Sequence, residues 1–358
     1  IQDSTFSPRS PSPRGGSLPP AQPPLGEGER GLNVESWIST GHLPNEAVVR
    51  QLVAEAHQRF GPLREGEVAR YIPALASANP ADFGIAVAST EGQLFEAGEA
   101  HQLFSIQSIS KPFLFALICQ AIGEKDARQK LGVNSTGLPF NSVQAVERAE
   151  DGLSNPMVNA GAIAATSLAP GDTAEAKWAF IQEGFSRFAG RSLELDEEVY
   201  ASEVATNRRN LGIATLLEEQ EGIWFDPEAT TDLYTRQCAL SVTSHDLALM
   251  AATLANGGRH PLSGEQVVEP PICQVVLAVM VTAGLYETSG DWIYDIGLPG
   301  KSGVSGGMIT VAPGKGGLAT YSPPLDGAGN SVRGQLTASF LSERLGLHLL
   351  ASMPASPA

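Results

Sequence analysis

The chain has 358 residues, 42% of them apolar, enough to fill one large core or two ordinary ones. Its 39 acidic residues outnumber 23 basic ones and leave a formal charge of −16, which argues against nucleic acid or an anionic membrane as partner, because both require basic patches. Three cysteines (Cys119, Cys238 and Cys273) are too few, and odd in number, for a disulfide framework.

Residues 1–35 are rich in Pro, Gly, Ser and Arg and hold almost nothing to bury, so a disordered or loosely packed tail is expected there. No run reaches the ~18 apolar residues of a membrane span, and the polar start lacks a secretory apolar stretch; a soluble cytoplasmic protein is the expectation. "NEAVVRQLVAEAHQRF" places Val48, Val49, Leu52 and Ala56 on one face and predicts a helix capped by Asn45. In "FGIAVASTEGQLFEAGEA" two β-rich runs flank Glu91-Gly92, a hairpin signal. "FSIQSISKPF" opens a helical pattern that continues to about residue 130 and stops before Gly132. Trp178, Ile181, Phe185 and Phe188 recur at helical spacing and read as core. "TSHDLALMAATLANGG" is a helix with Thr243 as cap, Asp246 three residues on and Gly257 as terminator. "ICQVVLAVMVTAGLY" is a buried helix, "GGMITVAPGKGGLATYSP" two strands about a Gly-rich turn, and "SVRGQLTASFLSERLGL" a closing amphipathic helix. Strands at both ends with helices between predict an α/β (α+β) chain. Residues 36–112 and 285–350 then form a sheet-containing domain, 113–284 a mainly helical one, and the functional site lies at their junction.

Two short motifs draw attention. Ser108 and Lys111 form S-x-x-K, one helical turn apart. A serine hydroxyl needs a base to become a nucleophile, and a lysine is a base only when its pKa falls. Pro112 is comfortable only in a first helical turn, which sets Ser108 at a helix mouth where free N–H groups favour an oxyanion. Alone, the motif also fits an ordinary helix start with a surface lysine; Ser105 and Ser110 lack a lysine at that spacing. The second motif is Gly300-Lys301-Ser302. A phosphate loop would need glycine where Asp295 stands and a helix where "GVSGGMITV" reads as a strand. K-[ST]-G on an edge strand beside an S-x-x-K serine is instead a serine acyl-transfer pattern, and the pair is far more specific than either motif alone.

Other polar groups stand between. Asn155 and Asn159 fit a turn and cap or an amide-reading pair; Glu203 and Asn210, seven apart, fit a solvated face or one polar face toward a ligand. Tyr71, Tyr234 and Tyr286 fit packing or proton relay. The six histidines show no H-E-x-x-H spacing, and neither C-x-x-C nor a post-strand G-x-G-x-x-G occurs, so no metal or dinucleotide cofactor is expected.

Together "YIPALA", "FSIQSISKPF", "NPMVNAGAI", "SEVATNRRN", "LYTRQCAL", "GLYETSGDW" and "KSGVSGG" resemble the serine-dependent glutaminases, in the order of that family, from about residue 40 to 350. The resemblance implies a β-lactamase/DD-peptidase-like fold, with an antiparallel sheet flanked by helices plus a mainly helical domain. It implies hydrolysis of L-glutamine to L-glutamate and ammonia through a γ-glutamyl-serine, without a cofactor, in a homodimer or homotetramer. Ser108 then matches the nucleophile, Lys111 its activator and Tyr286 the tyrosine that carries the proton to the leaving ammonia. Tyr71, Gln107, Asn159, Glu203, Asn210, Tyr234 and Val304 match the substrate-binding set, with the N–H groups of Ser108 and Val304 as oxyanion hole. Ser305 departs from the pattern, which has glycine in many relatives. Glu203 can pair with the ammonium of glutamine, while Asn159, Asn210 and the tyrosines can hold its carboxylate. The acidic balance adds an expectation of salt tolerance. The competing readings are a β-lactamase or penicillin-binding protein, and a silent amino-acid-binding protein on the same fold.

Overall fold

A computed structural model of the chain describes residues 42–138 and 153–351; the tail expected at 1–35 lies outside them. In chain order the elements are α1 (Glu46–Phe60), β1 (Gly84–Ser89), β2 (Leu94–Gly98), β3 (Phe104–Ser105), α2 (Ser110–Ile122), α3 (Glu124–Leu131), α4 (Asn159–Ser167), α5 (Ala174–Ala189), α6 (Glu197–Thr206), α7 (Arg208–Glu219), α8 (Pro227–Cys238), β4 (Ser241–Val242), α9 (Ser244–Ala255), α10 (Pro270–Ala283), α11 (Ser289–Asp295), β5 (Gly300–Ser302), β6 (Gly307–Ala312), β7 (Gly316–Tyr321) and α12 (Val332–Arg344). Short 3-10 turns lie at Pro73–Ser77, Gln107–Ile109 and Tyr286–Thr288.

Local chemistry sets several boundaries. Asn45 Oδ1 accepts the Ala47 N–H at 2.9 Å and starts α1. At α9 Thr243 and Asp246 bond each other's backbone N–H groups, at 3.1 and 2.8 Å, as a reciprocal cap. The helix expected to run from the "SISK" segment to residue 130 is two helices. Gly123 sits at φ +87°, a conformation open to glycine and costly to other residues, and α3 starts afresh on the polar run that follows.

The main sheet is antiparallel throughout, in the order β2-β1-β7-β6-β5. Strands from distant parts of the chain pair at its centre, with Val87 opposite Leu318. Alternation assigns its two faces. Ile85, Val87, Met308 and Leu318 pack with α1 and α12 in one cluster. Ala86, Ala88, Ile309, Val311 and Ala319 join a larger core that continues through α9 into α2, α4, α5 and α8. Small residues on that face let α9 lie close against β1, β6 and β7. Helix α2 is apolar all round, is buried from Ser110 to Cys119, and packs against α3, α4, α5 and α10. It begins beside the edge strand β5, which places its mouth where sheet meets helices. Among the described residues no single helix is long and apolar enough to cross a membrane.

One buried cation ties the ends of the domain. Arg333 on α12 donates to Ser322 Oγ at 2.7 Å and to the carbonyls of Pro80, Asp82, Ala81 and Gly61 at 2.6, 2.9, 3.3 and 3.4 Å. Its guanidinium also lies over the Phe83 ring. Arg64 also donates to the Gly61 carbonyl, so replacing Arg333 takes the guanidinium chiefly from the Pro80, Ala81 and Asp82 carbonyls and the Ser322 hydroxyl. Arg333→Met is expected to lower unfolding stability by about 1–3 kcal/mol, read as the urea midpoint; a midpoint unchanged from wild type would contradict the clamp.

Candidate active site

The mouth of α2 is strained and buried. Gln107 adopts φ +52°, an uncommon conformation for a residue with a side chain, at a cost of about 1–3 kcal/mol. That kink starts the 3-10 turn that presents Ser108 and feeds into α2, with Pro112 in its first turn. Gly303, just after β5, packs against this turn so closely that a Cβ there would stand 3.0 Å from the Ile106 carbonyl oxygen. The K-S-G segment therefore lies directly on the serine turn. The neighbouring serines have other partners: Ser105 Oγ accepts from Gln107 Nε2 at 3.1 Å and Ser110 Oγ from Gln237 Nε2 at 2.9 Å.

Two amines converge from opposite elements. Lys111 on α2 and Lys301 on β5 are both fully buried, and neither has an ion-pair partner among the described residues. Lys111 Nζ donates to Asn159 Oδ1 at 2.7 Å. Lys301 Nζ donates to the Tyr286 phenol at 2.9 Å and to the Ser302 carbonyl at 2.9 Å. The Tyr286 ring lies 5.5 Å from Lys111 Nζ and 4.0 Å from Lys301 Nζ. Burial lowers Lys111 to about 7. Burial lowers Lys301 well below an ordinary lysine, and the charge of Lys111 adds to the effect. Tyr286, itself at φ +57°, is held above the usual tyrosine range by burial, while a hydrogen bond with Ser108 favours its ionised form. A serine hydroxyl thus meets a phenol backed by one amine, with a second amine one turn away. Such a set can take a proton from an alcohol and return it elsewhere.

The opposite wall is polar. Asn159, the first residue of α4, passes its amide N–H to Asn210 Oδ1 at 3.0 Å, and its own Oδ1 also accepts from the Tyr234 hydroxyl at 3.2 Å. Glu203 on α6 accepts from Gln107 Nε2 at 2.5 Å. Burial pushes the Glu203 carboxyl up to about 7, with the Gln107 bond opposing. Tyr71 stands at the rim, 58% exposed, near enough to Glu203 and Tyr286 for their charges to matter. Val304 lies in the turn after β5; the turn's own bonds use the N–H groups of Gly303 and Gly306, not that of Val304. Cys238 is buried beside Tyr234 and Lys111, and burial pushes its thiol up to about 12, which makes it a poor nucleophile.

The profile of the glutaminase family matches residues 66–350. The chain belongs to the glutaminase family. It is 59% identical over 319 residues to Glutaminase 2 of Yersinia pestis, covering 89% of this chain and 94% of that one. It is 45% identical over 302 residues to a glutaminase of Colwellia psychrerythraea, covering 84% and 97%. A solved probable glutaminase, ybaS, superposes with TM-score 0.84 at 40% identity, covering 86% of this chain and all of that one. A probable glutaminase from Bacillus subtilis, complexed with 6-diazo-5-oxo-L-norleucine, gives 0.77 at 31%, covering 86% and 97%. The fold is the β-lactamase-like one, and the reaction of this glutaminase is hydrolysis of L-glutamine to L-glutamate and ammonia.

The glutaminase brings Ser108, Lys111, Tyr286, Gln107, Asn159, Glu203, Asn210 and Tyr234 together around the α2 mouth, with Val304 in the turn after β5 and Tyr71 outermost. One expectation needs correction. Glu203 and Asn210 do not share a helix, because the chain breaks at Asn207 between α6 and α7. They meet the pocket from two helices, each with its own partner. Asn155 is structural, with Nδ2 on the Asn134 carbonyl and Oδ1 on the Met157 N–H. Lys301 was visible as a motif, yet its place against Tyr286 was not; the signal was K-S-G itself. Ser305 is buried and its hydroxyl has no hydrogen-bond partner among the described residues.

A buried amine destabilises the fold at neutral pH. For Lys111 the unfolded chain holds a proton up to 10.5 and the folded one only up to about 7, so stability rises with pH between those limits. Lys111→Met is expected to raise the urea midpoint at pH 7 and to flatten its rise from pH 7 to 9 relative to wild type. An equal slope in both proteins would contradict the depressed pKa.

Proposed function

We propose that glutamine is cleaved by Ser108 through a γ-glutamyl ester. Lys111, neutral in part near pH 7, takes the hydroxyl proton as Ser108 Oγ bonds the side-chain carbonyl carbon. The N–H groups of Ser108 and Val304 hold the oxyanion. When the tetrahedral adduct collapses the C–N bond breaks, and Tyr286 gives its proton to the departing nitrogen. Lys301, bonded to that phenol, stabilises the transient phenolate, and the proton on Lys111 restores it. Water then attacks the ester, and Ser108 leaves as the alcohol with glutamate as product. Glu203 pairs with the substrate ammonium; Asn159, Asn210, Tyr71, Tyr234 and Gln107 complete the polar shell. The carrying observation is the meeting of Ser108, Tyr286 and two buried amines that, among the described residues, have no paired carboxylate. The relative bound to 6-diazo-5-oxo-L-norleucine supports the reading, because that compound has the glutamine backbone with a reactive diazoketone in place of the amide.

The proposal extends to two lobes, 113–284 and the remainder, that bracket the site, and to a soluble cytoplasmic homodimer or homotetramer. The chain's net charge of −16 supports activity in molar salt, and a matched relative was crystallised in 4.3 M NaCl with L-glutamate.

Ser108→Ala and Lys111→Ala are each expected to cut ammonia release from glutamine by ~10³-fold or more; retained activity in either would sink the mechanism. The acid limb of kcat/KM should fall as pH drops through about 7, since Glu203 must be ionised and Lys111 unprotonated. In Glu203→Gln, KM should rise by ~30-fold, about 2 kcal/mol, with a smaller change in kcat. A large loss of kcat at unchanged KM would contradict the ammonium contact.

A further inference from the structure

Away from the catalytic pocket, three metal-ligand side chains from two elements meet at the surface. Glu96 lies on β2, His101 in the segment that follows, and His245 in the first turn of α9. Glu96 Oε2 is 3.2 Å from His101 Nε2, and Glu96 Oε1 is 2.7 Å from His245 Nδ1. The two imidazole rings lie 5.0 Å apart at 33°. One ligand atom from each residue can be chosen so that all three fall within 4.8 Å of one another.

We propose that this cluster is a binding site for one divalent transition-metal ion of the zinc, cobalt or nickel kind. Around such an ion imidazole nitrogens and carboxylate oxygens stand at about 2.0–2.2 Å, which sets neighbouring ligand atoms about 3.3 Å apart in a tetrahedron. The two nitrogen-to-oxygen separations, 3.2 and 2.7 Å, run to different oxygens of the Glu96 carboxylate and are hydrogen-bond lengths, and the shorter opens as an ion enters. Reaching ligand spacing needs small shifts of three side chains that all have access to solvent, 68% exposed at His101, 28% at Glu96 and 27% at His245. Two imidazoles with one carboxylate suit zinc, cobalt or nickel and not magnesium or calcium, which take oxygen ligands. The proton on each bonded nitrogen moves to the other ring nitrogen, so both rings bind neutral. Both histidines line an open cleft of about 640 Å³ with Arg191, Asp246 and Leu262, which leaves room for water as the remaining ligand.

The backbone holds the site in place. The His245 N–H bonds the Ala100 carbonyl at 3.1 Å, one residue before His101. Downstream of His101, β3 pairs with β4 through Phe104 and Val242, and β4 ends just before the reciprocal cap of α9. An ion here fastens the end of β2 to the start of α9, the helix that covers the sheet. The chain from His101 goes on through β3 to the serine turn, yet none of the three ligands touches the pocket of Ser108. The effect is therefore on stability and not on turnover.

The test uses untagged, chelator-treated protein and Co2+ as a spectroscopic probe. Visible d–d absorption should saturate at one equivalent, and titration calorimetry should give the same stoichiometry. In His101→Ala and His245→Ala the affinity should fall by ~100-fold or more. Zn2+ at saturation should raise the thermal midpoint of wild type by several degrees and leave both variants where they were, while kcat for glutamine stays unchanged in all three. Absence of a one-equivalent band, or the same band in both variants, would overturn the site and show the cluster to be a carboxylate hydrogen-bonded to two histidines.

Discussion

Two lysine amines share one dry pocket around a single phenol, and among the described residues no carboxylate pairs with either. Water would solvate both as ammonium ions; burial makes that form costly, and each amine gives up its proton more readily than a surface lysine. That cost is borne by a large apolar surround. Lys111 sits on a helix that is apolar on every side, and Lys301 on the edge strand of a sheet covered on both faces. The same packing that builds the core thus lowers the proton affinity of both amines, which the proposed mechanism uses. Under the proposed mechanism catalysis takes its bases at the expense of stability, since apolar replacements at these positions would suit the fold better.

The backbone strain has the same logic. Gln107 and Tyr286 both adopt positive φ without being glycine, and both border Ser108. Such conformations persist only where the surroundings determine them. At Gln107 the side chain is fastened to Ser105 and Glu203, and at Tyr286 the phenol is fastened to Lys301. The close approach of Gly303 then locks the serine turn to the sheet edge. Together these contacts hold the Ser108 turn in one arrangement, so the proposed nucleophile needs little rearrangement to meet a substrate.

Much of this was legible in the chain, for identifiable reasons. Caps and periodicities are local, so Asn45, Thr243 with Asp246, and the Glu91-Gly92 hairpin could be read directly. Ser108 and Lys111 were joined by helical spacing, and Pro112 bounded the helix start. What spacing could not show is non-local. The partnership of Lys301 with Tyr286 depends on an edge strand folding back onto a 3-10 turn. The break at Asn207 sits in a run with good helix formers on both sides, so Glu203 and Asn210 looked like one face when they belong to two helices. Gly123 could end a helix or sit within one, and only the tertiary surround decides. Glu96, His101 and His245 come from segments far apart in the sequence, and no linear motif joins them.

The central claim is that one serine of three in "SISK" and its surroundings attacks the substrate. Covalent trapping tests it most directly. The enzyme is treated with 6-diazo-5-oxo-L-norleucine until activity is lost, digested, and mapped by tandem mass spectrometry. The account predicts one adduct per chain, on Ser108, that fails to form in Lys111→Ala. An adduct on Ser105, Ser110 or Cys238, or inactivation with Ser108 unmodified, would contradict it.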